Sequence, residues 1–284
     1  MPSEPLASWN GVLMPLGEVR VSVLDRSFLF GDAVYEVMRV YRGKPFLFSD
    51  HLARLQSNLQ KLQILADVSE IGQRVLQVLQ QSGIADGMIY IQITRGEAPR
   101  THHFPHPPVR PNELIYVKTL DNSLHARREQ GGTAILIDDV RWKRCDIKSV
   151  NLLANCLGAE QALAAGCDEA IFVDEQGTLV EGTHTSLFGV RQGILLTAPL
   201  GQHLLPGITR RLVLRLAEKC RISSIEEFLH RDRLDQIDEL FLTGTTLEIL
   251  PLIQIEGRMI GTGVPGPVTR SLQQAYRETV QAEC

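Results

Sequence analysis

The stretch Val34-Tyr35-Glu36-Val37-Met38-Arg39-Val40-Tyr41 sets the fold class of this 284-residue chain. Its β-branched and aromatic residues are typical of a strand, and the turn residues 42–44 lead into a second apolar run at 45–48 that predicts a returning strand. Ser49 and Asp50 can cap a following helix. One face of that helix carries Leu52, Leu55, Leu59 and Leu62. A hairpin followed by an amphipathic helix predicts an α+β arrangement.

Further elements on both sides extend this arrangement. An Asn10-Gly11 turn between apolar runs predicts another hairpin. A second helix is predicted over about 71–82, and strands are predicted over 88–94 and 114–119. Residues 120–132 turn polar and end in a glycine pair, which indicates a domain boundary near residue 122.

The second half of the chain alternates strands and helices. A strand over 134–140 precedes a helix over about 152–165, and a strand series follows over 169–197. Another helix begins near Ile208, strands recur later, and a last helix begins at Pro267. We therefore expect a smaller domain over 1–122 and a larger one over 123–284.

Composition narrows the class of protein. Lys plus Arg is 29 and Asp plus Glu is 33, so the formal charge is −4, which argues against a dedicated nucleic-acid binder. Hydrophobic residues at 44% and charged residues at 22% predict a folded chain. The five cysteines are odd in number and widely spaced, which favours free thiols in a reducing compartment. With no signal-like N-terminus and no long apolar stretch, we expect a cytoplasmic protein without a membrane segment.

Two motifs mislead. The GxGxxG match at Gly261–Gly266 has too few residues after it to complete a dinucleotide-binding unit, so we interpret it as a loop. The three histidines in 102–106 lie among prolines without a nearby cysteine or carboxylate, so we expect no metal site.

Lys148 is the first candidate for chemistry. It lies in a basic run, residues 141–151, directly after a strand. A lysine used as a covalent amine must lose its proton, and the neighbouring cations Arg141, Lys143 and Arg144 could lower its pKa. A solvated basic loop is the alternative.

Two further segments are polar and lie beside strands or a helix. Glu181 stands on a predicted strand, where a carboxylate can keep a pyridine nitrogen protonated, and a polar turn is the alternative. Leu205–Arg210 opens a helix whose first amides suit a phosphate, unless it is an ordinary Pro-Gly helix start. Thr243–Thr246 offers hydroxyls for the same anion.

Together these segments resemble the fold-type IV pyridoxal-phosphate enzymes, and most of all their D-amino-acid aminotransferase branch. The resemblance covers essentially the whole chain. It rests on ordered motifs at Asp25–Val37, Thr94–His102, Arg144–Ser149, Glu181-Gly182 and Gly207–Arg210. It implies a two-domain α+β fold with a smaller N-terminal α/β sandwich and a larger C-terminal pseudo-barrel domain.

The resemblance also implies the roles of individual residues. Lys148 is similar to the family's Schiff-base lysine and proton carrier, and Glu181 to the partner of the pyridine nitrogen. The phosphate of pyridoxal 5′-phosphate would be bound by Arg54, Ile208, Thr209 and Thr245. The substrate carboxylate would be bound by Tyr35, Arg100 and His102. Because the family's Arg-x-His loop reaches the site of the partner subunit, the resemblance further implies a homodimer.

The implied reaction is a ping-pong transamination in which D-alanine and 2-oxoglutarate give pyruvate and D-glutamate. A branched-chain L-amino-acid aminotransferase and an aminodeoxychorismate lyase are the alternatives within the family, and Arg100-Thr101-His102 argues against them. A non-catalytic small-molecule binding protein is the alternative from another class. Two positions depart from the family pattern, because His184 and Gly244 stand where small hydroxyl residues are usual.

Overall fold

The structure is a computed structural model that describes residues 4–120 and 125–284. The chain divides into two compact units. The first contains the described residues up to 120, the segment Ile147–Asn151 and the terminal Cys284, and the second contains the remaining described residues. The predicted boundary at residues 122 and 123 lies outside the described residues.

Within the first unit, the described residues form a six-stranded sheet in which all neighbouring strands are antiparallel. Its strands are β1 (Leu6–Trp9), β2 (Val12–Pro15), β3 (Ala33–Tyr41), β4 (Lys44–Pro45), β5 (Gly87–Thr94) and β6 (Glu113–Thr119). The order across the sheet is β2-β1-β6-β5-β3-β4. The unit's helices are α1 (Arg26–Phe30), α2 (Phe48–Leu62) and α3 (Val68–Ser82), with a 3₁₀ turn at Leu16–Glu18.

The core of this unit lies where α2 and α3 meet one face of the sheet. Alternate residues of β3, such as Val34, Met38 and Val40, are fully buried there, as the period of two in a strand requires. They pack with Leu55 and Leu59 of α2. The leucine pattern that predicted α2 is therefore the pattern of its buried face.

Two local details differ from the prediction. The paired return strand is Lys44–Pro45, so it begins in the predicted turn and includes only the first residue of the predicted run 45–48, because the chain turns into α2 at Leu47, which has a φ of 54°. Leu47 also occupies the N-cap position without a side-chain cap, so neither Ser49 nor Asp50 caps the helix as predicted. The Asn10-Gly11 hairpin is confirmed by the pairing of β1 with β2.

Within the second unit, the described residues form a mixed ten-stranded sheet. Its strands are β7 (Gly132–Asp138), β8 (Glu169–Val173), β9 (Thr178–Gly182), β10 (Ser186–Arg191), β11 (Ile194–Thr197), β12 (Ser224–Glu226), β13 (Leu229–His230), β14 (Glu239–Gly244), β15 (Glu248–Ile255) and β16 (Arg258–Met259). The order is β12-β11-β10-β14-β15-β7-β8-β9-β13, and β16 pairs with β15.

The helices of the second unit are α4 (His125–Gln130), α5 (Leu153–Ala164), α6 (Ile208–Lys219) and α7 (Pro267–Glu283), with a 3₁₀ segment at Arg231–Gln236. The predicted helices at 152–165, 208 and 267 are confirmed. None of the helices that the structure describes combines the length and the apolarity that a membrane-spanning segment needs.

Candidate active site

Backbone pairing holds Lys148 against β3. The Tyr35 amide donates to the Lys148 carbonyl at 3.0 Å, and the Val150 amide donates to the Ala33 carbonyl at 3.2 Å. Ile147 is buried in the core of the first unit. This pairing across the sequence places Lys148 in the first unit, although the sequence assigned it to the domain 123–284.

The side chain of Lys148 lies over an aromatic face. Its Nζ is 4.1 Å from the centre of the Tyr35 ring, within the range of a cation–π contact. Tyr35 stacks on Tyr90 with ring centroids 5.8 Å apart, and Tyr90 stacks on Tyr116 at 5.0 Å. Burial raises the pKa of Tyr90 and of Tyr116, so both phenols keep their protons. Two residues predicted for the site, Lys148 and Tyr35, are thus in contact.

Arg54 binds a carboxylate on the opposite side of β3. Glu36 accepts from Arg54 Nε at 2.7 Å and from Nη2 at 2.9 Å, and its Oε2 lies 2.8 Å from Nδ1 of His51. Glu36 is fully buried. Burial alone would raise the pKa of Glu36, but Arg54 and His51 outweigh it and lower the value to about 2. Glu36 is therefore ionised and fixes the orientation of the Arg54 guanidinium.

The sequence analysis missed Glu36 and His51. Burial is the largest single effect on His51, and together with the nearby charges of Arg54 and Lys148 it lowers the pKa of the ring although Glu36 acts to raise it, so the ring is neutral. Its Nδ1–H then donates to the ionised carboxylate. A usable signal existed, because a carboxylate at an inward position of a strand needs a partner, and His51 lies three residues before Arg54 on α2.

Arg100 and His102 lie together on an exposed loop. The Arg100 guanidinium is 5.3 Å from the centre of the Phe30 ring, and the His102 ring is 5.6 Å from it. Within the described residues, no hydrogen bond, ion pair or ring contact joins either side chain to Tyr35. The structure therefore brings the side chains of Arg100 and His102 together beside Phe30 of α1. It brings Tyr35 into contact with Lys148 instead.

Glu181 of the second unit is buried beside a guanidinium. Arg141 Nη1 donates to its Oε1, and the Leu205 amide donates to its Oε2 at 3.1 Å. Burial raises the pKa of Glu181 to about 7, although Arg141 acts to lower it. Arg141 also binds both oxygens of Asp139 and lies 4.3 Å from the centre of the Phe172 ring.

Two of the cations that the sequence offered for Lys148 are paired with carboxylates. Arg141 binds Asp139 and Glu181, and Arg144 Nε donates to Asp146 at 2.8 Å. The carboxylates raise the pKa of both guanidinium groups and keep them charged.

Three of the four residues predicted to bind a phosphate, Ile208, Thr209 and Thr245, lie in the second unit, whereas Arg54 lies in the first. Gly207 precedes α6, and an added Cβ there would lie 2.6 Å from Ser186 Oγ. Gly244 directly precedes Thr245, and a Cβ added to Gly244 would lie 3.7 Å from the carbonyl oxygen of His184. The N-terminus of α6, which begins with Ile208 and Thr209, has no side-chain cap and no acidic residue in its first turn. This donor set suits an anion.

A buried glutamate organises the residues that follow Glu181. Glu169 accepts from the hydroxyl of Thr183 at 2.5 Å and from that of Thr185 at 2.9 Å, and it was missed in the sequence. His184 instead exposes 61% of its side chain, with Nδ1 at 3.0 Å from Thr183 Oγ1. The hydroxyls of this stretch therefore serve Glu169, and only the histidine faces outward.

Known proteins share both the sequence and the fold. A model of the amino-transferase class IV family matches residues 33–255. The chain belongs to the class IV aminotransferase family. This aminotransferase is 36% identical to the D-alanine aminotransferase of Staphylococcus epidermidis over 276 residues, which cover 96% of this chain and 97% of that enzyme. It is 36% identical to the D-alanine aminotransferase of Bacillus licheniformis over 277 residues, which cover 97% of each.

Solved structures support the same family. The branched-chain amino acid aminotransferase of Escherichia coli superposes with a TM-score of 0.89 at 26% identity, over 97% of this chain and 94% of that one. A T.th. enzyme of the same name, solved with pyridoxamine 5′-phosphate, superposes with a TM-score of 0.90 at 28% identity, over 100% of this chain and 96% of that one. The predicted fold-type IV, two-domain α+β class is thereby confirmed. The resemblance to D-amino-acid aminotransferases that the motifs indicated is confirmed as well.

Proposed function

We propose that this aminotransferase exchanges the amino group of a D-amino acid, such as D-alanine, with a 2-oxo acid, such as 2-oxoglutarate. The carrying observation is the pair Arg100 and His102, whose exposed side chains share the Phe30 ring and present donors for a carboxylate. The identity to D-alanine aminotransferases over nearly the whole chain supports the same substrate class.

Pyridoxal 5′-phosphate is the cofactor of this family. The second unit fits its phosphate, because the uncapped N-terminus of α6 and Gly244-Thr245 both adjoin residues 184–186. When bound, this cofactor takes up the electron pair that remains on the substrate Cα after its proton has left. The phosphate would be bound by Arg54, Ile208, Thr209 and Thr245.

Lys148 and Glu181 would carry the chemistry. Lys148 would tether the cofactor, and its Nζ would remove the proton from the substrate Cα. The contact with Tyr35 restricts the positions that Nζ can take. Glu181, stabilised as an anion by Arg141, would keep the pyridine nitrogen protonated. One site would serve both half-reactions in turn.

The substrate carboxylate would be bound by Tyr35, Arg100 and His102. By resemblance to the family, the loop that carries Arg100 and His102 would complete the site of a partner subunit in a homodimer. A cytoplasmic location stays a prediction from the sequence.

A branched-chain L-amino-acid aminotransferase is the second candidate, because the Escherichia coli enzyme named for branched-chain substrates shares the fold over 97% of this chain. A panel of both enantiomers of alanine, leucine and valine, each with 2-oxoglutarate, separates the two. We expect D-alanine to give the highest kcat/KM and the product to be D-glutamate. A preference for L-leucine or L-valine would replace the first proposal with the second.

A further inference from the structure

The loop that carries Arg100 and His102, residues 97–110 and here called the recognition loop, is closed at its base. Gly96 has a φ of 102°, and an added Cβ there would lie 2.1 Å from the Arg110 carbonyl oxygen. The two ends of the loop therefore touch, and only glycine fits at this position. The Arg26 amide also donates to the Gly96 carbonyl at 3.0 Å, which joins the start of α1 to the start of the loop.

A buried ionic cluster lies beside this base. Asp32 Oδ2 accepts from Arg26 Nε at 2.8 Å and from Arg95 Nε at 2.7 Å, and its Oδ1 accepts from Arg95 Nη2 at 2.9 Å. The exposed fractions of the Arg26, Asp32 and Arg95 side chains are only 3%, 9% and 7%. One carboxylate thus serves two guanidinium groups, and their remaining donors need further acceptors.

The cluster contacts the recognition loop on both sides of His102. Arg26 Nη1 donates to the carbonyl of Thr101, the residue between Arg100 and His102, at 2.7 Å. The Arg95 guanidinium lies 3.5 Å from the centre of the Phe104 ring. The loop is therefore attached to the same buried charge cluster through a backbone carbonyl before His102 and through an aromatic side chain after it.

We propose that Arg26, Asp32 and Arg95 are positioning residues for recognition of the substrate carboxylate. They fix the backbone of the recognition loop, so that Arg100 and His102 present their donors in one geometry. This inference rests on the proposed function, because it assigns the cluster to the carboxylate contacts of that site. A fixed loop loses less conformational entropy when the carboxylate binds. A loop that is no longer fixed should therefore bind substrate more weakly, which raises KM.

The experiment compares Arg26→Met with Arg74→Met in the holoenzyme. Arg74 is a matched control because its guanidinium also binds a carboxylate through two donors, to Glu113 at 2.6 and 2.7 Å, and its third hydrogen bond goes to Glu70, outside the loop. Phe104→Leu is a milder second variant that changes no charge, and Arg26→Lys tests rescue. KM and kcat for D-alanine are measured, together with the rate of trypsin cleavage between Arg100 and Thr101, read by mass spectrometry.

We expect Arg26→Met to raise KM about tenfold with kcat changed less than about twofold, and to accelerate cleavage after Arg100. Phe104→Leu should shift both readouts in the same direction, Arg26→Lys should restore part of the loss, and Arg74→Met should leave both unchanged. If Arg26→Met and Phe104→Leu keep the wild-type KM and cleavage rate while Arg100→Ala raises KM, the positioning role of the cluster is overturned and the proposed function stands. An unchanged KM in Arg100→Ala would overturn the proposed carboxylate contacts, and with them the recognition role of the cluster.

Discussion

Nζ of Lys148 lies 4.1 Å from the centre of the Tyr35 ring, and the Tyr35 amide donates to the Lys148 carbonyl at 3.0 Å. The two residues are thus joined through both backbone and side chain, although 112 other residues separate them in the sequence. A lysine that tethers a cofactor and moves a proton needs a fixed backbone and a mobile tip. The pairing with β3 supplies the first, and the unbranched side chain supplies the second.

Lys148→Ala should bind pyridoxal 5′-phosphate without a covalent link and lose nearly all transamination, because the amine would be both tether and base. Borohydride reduction of the wild-type holoenzyme, followed by peptide mass spectrometry, should find the cofactor on the peptide that contains Lys148. Attachment to Lys143 or another lysine would exclude this assignment.

Tyr35→Phe should separate the two uses of Tyr35. Phenylalanine keeps the ring under Lys148 but removes the hydroxyl proposed to donate to the substrate carboxylate. We expect KM for D-alanine to rise about tenfold with little change in kcat, as is typical for one lost hydrogen bond to a charged group. Tyr35→Leu removes the ring as well and should also lower kcat. Equal kinetic losses in both variants would show that the hydroxyl has no separate role.

Glu36→Gln should change how stability depends on pH. Because the pKa of Glu36 falls from 4.5 to about 2 on folding, its ionised form stabilises the fold fully above pH 4.5, and this contribution is lost as the pH falls toward 2. The contribution is on the order of 3 kcal/mol. Urea unfolding should therefore show a wild-type advantage over Glu36→Gln that shrinks between pH 4.5 and 2.

Glu70→Gln is the control for that measurement, because Glu70 is 64% exposed in its pair with Arg74. Exposed pairs of this kind contribute little to stability. A difference between wild type and Glu36→Gln that stays constant from pH 7 to pH 2 would contradict the lowered pKa.

Arg141→Met should shift a pH profile of cofactor binding. Burial raises the pKa of Glu181 from 4.5 to about 7, so its contribution to the stability of the fold is lost as the pH rises between these values, and Arg141 offsets part of that loss. The apoenzyme should bind pyridoxal 5′-phosphate more tightly as the pH rises through about 7, where the anion forms. In Arg141→Met this rise in affinity should move to higher pH. Cofactor binding is measured by the visible absorbance. Glu181→Gln is the control, because glutamine cannot ionise and any pH dependence that remains comes from the cofactor itself. If the pH profile of Glu181→Gln is identical to that of wild type, Glu181 does not have the proposed role.

Much of the fold followed from local patterns. The leucine spacing of α2, the Asn10-Gly11 turn and the Gly207 start of α6 all act over a few residues, and each is present in the structure. The short helix α1 was missed, although Asp25 caps its N-terminus through the Ser27 amide and Gly31 ends it with a φ of 68°. Both cap signals were readable, but five residues are too few for a hydrophobic period.

The site was only partly predictable. Single motifs identified the lysine, the acid and the loop, but their partners are distant in the chain. Arg141 reaches Glu181 across 40 positions, and Arg26 reaches Thr101 across 75. Such pairs depend on sheet order and on the path of the loops, which local propensity does not encode. The sequence accordingly offered Arg141 only as a cation near Lys148 and did not show its acceptors, Asp139 and Glu181.

Arg100→Ala tests the stereochemical side of the proposal. The scissile Cα–H bond must face Lys148, so the side of the cofactor that binds the carboxylate decides which enantiomer has room for its side chain. By resemblance to the family, a carboxylate bound by Tyr35, Arg100 and His102 leaves room for the side chain of a D-amino acid. Losing one charge-assisted contact costs about 1.5 to 3 kcal/mol, so kcat/KM for D-alanine should fall roughly ten- to a hundredfold. Cofactor retention should stay unchanged, because the Arg100 side chain contacts the Phe30 ring and is not among the proposed phosphate ligands. Retention is read from the absorbance after gel filtration. If the wild-type enzyme turns over L-leucine faster than D-alanine and Arg100→Ala leaves both rates unchanged, the loop does not bind the carboxylate. The branched-chain activity then replaces the proposed D-amino-acid activity.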